Sequence, residues 1–247
     1  MRRRAPRPSP LPWPRQDWAY FFDIDGTLVH ITDSPTAVRL DDDLRRLIEA
    51  LHHSSGGAMA LISGRSIADI DRLFPGTRLP AAGQHGTERR DSAGVIERHA
   101  FPVQQLEWAR ERLVVAAAGK PGLLVEDKGL SLALHYRRAP RLAGYAHRVA
   151  RSLLRRVGPR YCIQNGKRVV ELRPTGKDKG VAVLEFMREA PFVGRTPVFI
   201  GDDATDEYGF ATVNRLGGYS IKVGRGPTVA RWRLPNVEAV QQWLRSI

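Results

Sequence analysis

Two short stretches of this 247-residue chain concentrate carboxylates where chemistry can use them. Asp23 and Asp25 stand one residue apart at the end of the apolar run Ala19 to Phe22, which has the length and aromatic content of a buried strand. Two ionised carboxylates side by side and out of water repel each other and lose hydration, so the pair demands a cation or a shared proton. Alone, an Asp-x-Asp reads equally well as a strand running into a polar loop. A second cluster shifts the balance: Gly201-Asp202-Asp203-Ala204-Thr205-Asp206-Glu207 also follows an apolar run, Pro197 to Ile200. Two strands ending in clustered carboxylates make two walls of one hard-cation site. Its ligands would come from Asp23, Asp25, Asp202 and Asp206, oxygens only, which favours magnesium over zinc.

Two further pieces offer groups for an anion. Ser63-Gly64-Arg65-Ser66 follows the apolar run Ala58 to Ile62 and precedes a helical segment, Ile67 to Phe74, that Ser66 can cap. A hydroxyl and a guanidinium at a helix N-terminus form a phosphate cradle. Lys179 falls at the start of the helical segment Val181 to Arg188, an unfavourable place for a cation beside the positive end of the helix dipole, and a bound anion would explain it. Assembled, these pieces define a reaction. Asp23 would attack a phosphorus, and Asp25 would protonate the leaving oxygen and then deprotonate the water that hydrolyses the aspartyl-phosphate. Magnesium between Asp23, the backbone carbonyl of Asp25 and Asp202 would screen nucleophile from phosphate, while Ser63 and Lys179 hold the transferring oxygens. An acid two residues after the nucleophile provides for turnover, which argues for a phosphatase over an ion pump.

The elements that must position these groups follow a rhythm of strand and helix through about residue 100 and again from about residue 176. The rhythm predicts an α/β fold with a doubly wound, parallel sheet, Rossmann-like, over 17–100 and 176–247. Between them the pattern changes to helix, hairpin, helix, hairpin. The second hairpin, Tyr161 to Leu172, is expected to turn at Asn165-Gly166. Residues 101–175 therefore read as an inserted α+β module bracketed by Pro102 and Pro174. Its apolar stripe from Leu142 to Val157 is core, and Arg141, Arg148, Arg151 and Arg155 off that stripe read as a solvated face. His85, in the turn Ala82 to Gly86, reads by default as structural or solvent-facing.

The net charge is +13, but it is unevenly spread. Residues 1–16 carry five Arg and no acid, and residues 101–175 carry 15 basic and five acidic residues, which leaves the rest slightly negative. An acidic cation-binding body with a basic insertion suits an anionic small molecule. A nucleic-acid binder using the same arginines is disfavoured because few aromatics interleave with them. One cysteine, Cys162, permits no internal disulfide, and no run of apolar residues is long enough to span a membrane. Residues 1–16 read as a disordered basic, Pro-rich tail without the apolar segment of an export signal. The expectation is a cytoplasmic monomer without membrane or nucleic-acid partners.

In order, Asp23-Ile24-Asp25-Gly26-Thr27-Leu28, the strand followed by Ser63-Gly64-Arg65, Lys179-Gly180 and Gly201 to Glu207 resemble the four motifs of the haloacid dehalogenase superfamily. From about Trp18 to Leu244 the chain is similar to the trehalose-6-phosphate phosphatases of stand-alone bacterial type. That likeness includes Ala82 to Arg90, Glu126 to Gly129, Leu134 to Arg137 and Val170 to Pro174. The resemblance implies magnesium-dependent hydrolysis of trehalose 6-phosphate to trehalose and phosphate, the last step of trehalose biosynthesis. It also implies that 101–175 is a mobile cap whose Glu126, Lys128, Arg137 and Glu171 contact glucose hydroxyls, with His135 a weaker candidate beside them and Arg65 on the substrate. A phosphatase for another sugar phosphate is the rival within the same fold.

Overall fold

A computed structural model describes residues 10–32, 38, 40–99 and 103–246. In chain order the elements are β1 (Trp18–Phe22), α1 (Asp42–Ser54), β2 (Met59–Ile62), α2 (Ile67–Leu73), β3 (Ala81–Gly83), β4 (Glu88–Arg90), β5 (Ile96–Arg98), α3 (Val103–Ala117), β6 (Leu124–Asp127), β7 (Leu132–His135), α4 (Ala143–Val157), β8 (Tyr161–Gly166), β9 (Val169–Pro174), α5 (Lys179–Phe186), β10 (Thr196–Gly201), α6 (Asp206–Arg215), β11 (Tyr219–Val223), β12 (Trp232–Leu234) and α7 (Val237–Leu244). They form an eight-stranded sheet of order β12-β11-β10-β1-β2-β3-β4-β5 and a four-stranded sheet of order β6-β7-β9-β8.

The large sheet is buried on both faces because its central strands are apolar at every position. Along β1, Trp18, Tyr20 and Phe22 join one core cluster with residues of α1 and α7, while Ala19 and Phe21 join another with residues of α5 and α6. The helices start where the sequence supplies caps: Asp41 accepts from Leu44 N at 2.7 Å, Ser66 from Asp69 N at 3.1 Å and Asn236 from Ala239 N at 3.0 Å. The sheet departs from a purely parallel arrangement at one end, where β4 and β5 run antiparallel to their neighbours. The short connections of four and five residues between these strands allow hairpins but no crossover helix.

The small sheet alternates cleanly. Leu132, Leu134, Val170, Leu172 and Tyr161 point to one face and pack with α3 and α4. The other face carries Glu126, Ala133, Glu171 and Gln164 in one cross-strand row, with Lys128, Ser131, His135 and Val169 in the flanking rows. Its second hairpin turns at Lys167-Arg168, with Gly166 opposite Val169, and not at Asn165-Gly166 as expected. Burial sets the register: the observed pairing puts Ile163 opposite Leu172 on the helix-facing side, whereas the expected turn would oppose it to Arg168. Arg168 takes the left-handed backbone, φ 63°, that the turn requires.

The expected tail meets a correction. Residues 1–9 and Pro102 lie outside the described residues, but Leu11 packs on the core, Trp243 Nε1 donates to Pro12 O at 3.0 Å, and Arg15 N donates to Tyr20 Oη at 2.8 Å. Among the described residues no helix is long and apolar enough to cross a membrane.

Candidate active site

Strand order alone assembles the acidic groups. β1 lies between β10 and β2, parallel to both, with Phe22 opposite Ile200 and Leu61. The next residues along the three strands therefore emerge together at one sheet edge: Asp23 after β1, Ser63 after β2, and Asp202 after Gly201 of β10. The polar face of the small sheet stands over this edge, and the cleft between them encloses about 930 Å3 open to solvent. From the large sheet Asp23, Asp25, Ser63, Arg65, Lys179 and Asp202 line it; from the small-sheet unit Glu126, Lys128, His135, Arg137 and Glu171 do. Of the expected site residues only Asp206 sits behind the wall, fully buried.

Lys179 is the hub of the acidic wall. Its Nζ is 2.7 Å from Asp23 Oδ1 and 2.7 Å from Asp206 Oδ1, and the side chain is 2% exposed. The helix of which it is the first residue is capped by Asp178, which accepts from Val181 N at 2.8 Å. Two carboxylates thus account for a cation at a helix N-terminus. Burial works against the charge on Lys179, but Asp206 and Asp23 outweigh it and raise its pKa. Burial raises the Asp23 pKa well above the ordinary carboxylate value, and Lys179 only partly opposes this. Burial likewise pushes Asp202 up to about 6 against the pull of Lys167.

These residues fit a hard cation. Asp23, Asp202 and Asp206 each bring a carboxylate oxygen within 4.8 Å of the others. Asp202 Oδ1 is buried without a hydrogen-bond partner, an orphan that a cation would satisfy. Asp206 Oδ2 accepts from Asp202 N at 2.8 Å and Asp203 N at 2.9 Å, so with Lys179 on Oδ1 it has filled three of a carboxylate's four lone-pair positions. Gly26, at φ 89°, makes the approach possible: a Cβ there would lie 2.1 Å from Asp202 Oδ2. Asp25 turns its side chain aside, taking both Arg65 Nε and Nη2 at 2.6 Å in a two-pronged pair.

Opposite stands a web centred on Glu171. Its Oε1 accepts from Ser131 Oγ at 2.6 Å, and its Oε2 lies 3.1 Å from Lys128 Nζ and 3.4 Å from His85 Nε2. Burial opposes ionisation of Glu171, but Lys128 and His85 overcome it and hold its pKa far below the usual carboxylate range. Glu126 is 2.7 Å from His135 Nε2. Arg137 joins the two halves, donating to Thr32 O at 2.9 Å and Lys167 O at 3.1 Å. His85 follows the structural branch of its default reading and not the solvent-facing one: it is buried, lines the cleft and takes a left-handed φ of 59°, and burial lowers its pKa.

The sequence of residues 21–237 matches the trehalose-phosphatase family. The chain is 46% identical over 230 residues to the trehalose-6-phosphate phosphatase of Escherichia coli K12, covering 93% of this chain and 86% of that one. The chain belongs to the trehalose-phosphatase family. It is also 43% identical to a probable trehalose-phosphate phosphatase of Sinorhizobium fredii, over 91% of this chain and 85% of the relative. Its fold is that of the C-terminal domain of the Candida albicans trehalose-6-phosphate phosphatase, with a TM-score of 0.81 at 24% identity over 91% of this chain and 89% of that one. A solved trehalose-6-phosphate phosphatase related protein matches with a TM-score of 0.74 at 27% identity, covering 92% and 95%.

In this member of the trehalose-phosphatase family the acidic edge also holds cations that motif reading missed, Lys167 lining the cleft and Lys222 buried behind it. Lys167, at the tip of the β8–β9 turn, pairs with Asp202 Oδ2. Lys222, buried on β11, donates to Asp202 O at 2.6 Å and stands 3.9 Å from Glu207. A lysine inside the apolar strand Tyr219–Val223 was the available signal for Lys222, since a buried ammonium needs a partner. Lys167 offered none, because the expected turn placed it on the returning strand.

Proposed function

We propose that this phosphatase hydrolyses trehalose 6-phosphate to trehalose and phosphate through an aspartyl-phosphate on Asp23, with magnesium as cofactor, as the last step of trehalose biosynthesis. One observation carries the reading: a buried carboxylate cluster faces Glu126, Lys128 and Glu171 across one cleft, an arrangement that would suit phosphoryl transfer from a molecule rich in hydroxyls. The 46% identical relative of that name supports the substrate.

In the first half-reaction an Asp23 carboxylate oxygen attacks phosphorus, the bond from phosphorus to the sugar oxygen breaks, and Asp25 gives that oxygen its proton. In the second, Asp25 takes a proton from water, whose oxygen attacks the same phosphorus and releases Asp23. Lys179 and Ser63 hold the non-bridging oxygens, and Arg65 exchanges its grip on Asp25 for the incoming phosphate. Asp23, the Asp25 backbone carbonyl, Asp202 and Asp206 would hold the magnesium ion, which supplies charge screening between carboxylate and phosphate when bound. Glu126, Lys128, His135, Arg137 and Glu171 read the glucose hydroxyls from the unit formed by 101–175, which we take to be the cap. The lone cysteine suits a reducing compartment, and we place the enzyme in the cytoplasm.

The test is phosphate release from a panel of sugar phosphates with magnesium or chelator, using Asp23→Asn as the blank. Trehalose 6-phosphate should dominate, and both chelator and Asp23→Asn should stop the reaction. A fully active Asp23→Asn protein would remove the nucleophile assignment, and a different preferred sugar phosphate would remove the substrate.

A further inference from the structure

Gln84 has no part in the reaction above, yet it is built into the molecule under strain. It is 3% exposed and holds a φ of 47°, a left-handed backbone that a residue with a Cβ adopts only when its surroundings impose it. Three sets of contacts impose it. Gln84 N donates to Arg65 O at 2.8 Å, and the next residue, His85, donates to Ser63 O at 2.9 Å, so the backbone of this corner braces the Ser63-Gly64-Arg65 loop. The carboxamide Nε2 lies 3.4 Å from Glu88 Oε1, a carboxylate that also accepts from Ile67 N at 2.6 Å. A carboxylate with a backbone N–H already on it accepts and does not donate, which fixes the amide with nitrogen toward Glu88 and oxygen outward.

That oxygen faces the small-sheet unit. Leu130 N donates to Gln84 Oε1 at 3.2 Å. Ser131 Oγ lies 3.4 Å from the same oxygen, but its single proton goes to Glu171 Oε1 at 2.6 Å, so the Leu130 amide is the true partner. Leu130 sits between Lys128 and Ser131, which together with His85 hold Glu171.

We propose that Gln84 is a positioning residue that latches the β6–β7 turn onto the phosphate loop, so that the Lys128–Ser131–Glu171 web stands at a fixed distance from the Ser63 and Arg65 groups. It touches neither substrate nor metal; it couples the two halves of substrate recognition through one strained corner. The substrate in this inference rests on the function proposed above, but the latch itself does not.

The test uses the full chain with two variants. Gln84→Leu keeps the bulk and removes the acceptor. Gln84→Asn tolerates the left-handed backbone better but is one methylene too short to reach Leu130, which separates loss of the latch from backbone strain. Hydrogen exchange is read at the Leu130 amide, and kinetics are measured on trehalose 6-phosphate and on 4-nitrophenyl phosphate. Losing one hydrogen bond at this joint should speed Leu130 exchange and raise the KM for trehalose 6-phosphate by roughly threefold to tenfold in both variants. The kcat should stay within about twofold, and 4-nitrophenyl phosphate, too small to meet the web, should be hydrolysed as before. Unchanged Leu130 exchange, or equal losses on both substrates, would overturn the latch. If the wild-type protein ignores trehalose 6-phosphate, the proposed function fails while the exchange measurement still decides the role of Gln84.

Discussion

Replacing Lys179 with methionine isolates the electrostatics of the acidic wall. The ammonium bridges Asp23 and Asp206 at 2.7 Å to each, and all three side chains are at most 7% exposed. Lys179→Met keeps most of the packing and leaves two buried carboxylates facing each other. Breaking a buried pair in this way costs about 3–5 kcal/mol. For a domain of this size each kcal/mol is worth about 2–4 °C, so the midpoint in chelator at pH 8 should fall by roughly 10 °C. A carboxyl whose pKa is raised in the fold loses stability as the pH climbs through that raised value and loses nothing below its unfolded value. The direction for Asp23 and Asp206 is upward, so the deficit should narrow on going from pH 8 to pH 6. Adding Asp23→Asn removes one of the stranded charges, and the double variant should recover at least half of the loss. Scanning calorimetry of wild type, both single variants and the double variant closes the cycle. If Lys179→Met melts within a degree of wild type, or if Asp23→Asn gives no relief, then the bridging ammonium does not hold this wall together.

Two other perturbations follow from the same geometry. Gly26→Ala would drive a Cβ to 2.1 Å from Asp202 Oδ2 at a φ of 89°, displacing that carboxylate; phosphate release should fall about a hundredfold and magnesium binding by calorimetry should weaken, with a midpoint loss of only a few degrees. His85 has its pKa lowered chiefly by burial, so as the pH drops through its ordinary value of 6.5 the unfolded chain takes up a proton that the folded protein refuses; stability should decline below that point, and His85→Asn should show a flatter midpoint profile between pH 8 and pH 5. Parallel profiles for the two proteins would show that His85 does not titrate against folding.

The sequence carried the large sheet and its acidic edge because both are local patterns. Apolar runs that stop at Asp23, Ser63 and Asp202 are legible as strand ends, and parallel strands bring their carboxyl ends to one edge whatever lies between them. The polar face of the small sheet was legible in part: the alternation Glu126, Lys128 and Ser131, Ala133, His135 follows from a period of two, but which strand lies beside which does not. What could not be read was anything set by a long-range partner. Of the two readings left open for His85, structural or solvent-facing, the choice is made by Glu171, 86 residues away. Lys167 meets Asp202 only because burial of Ile163 against Leu172 moves the turn by two residues. Gln84 and Lys222 are ordinary residues in the chain, and their importance comes from neighbours on other strands.

The distribution of charge ties these pieces together. Five carboxylates, Asp23, Asp202, Asp203, Asp206 and Glu207, crowd the acidic edge, and three ammonium groups lie among them: Lys179 on Asp23 and Asp206, Lys167 on Asp202, and Lys222 at 3.9 Å from Glu207. Asp25 and Arg65 neutralise each other. Two negative charges are left over in a largely buried setting, where an uncompensated charge is costly, and the orphan Asp202 Oδ1 marks where the deficit falls. A divalent cation would cancel that deficit, which would lower the repulsion that the acidic edge presents to a phosphate monoester in the proposed reaction. Of the three ammonium groups only Lys167 comes from the small-sheet unit, and its pair with Asp202 spans the cleft between the two sheets. The acidic body and the basic insertion are thus two halves of one electrostatic balance, joined at the Lys167–Asp202 pair.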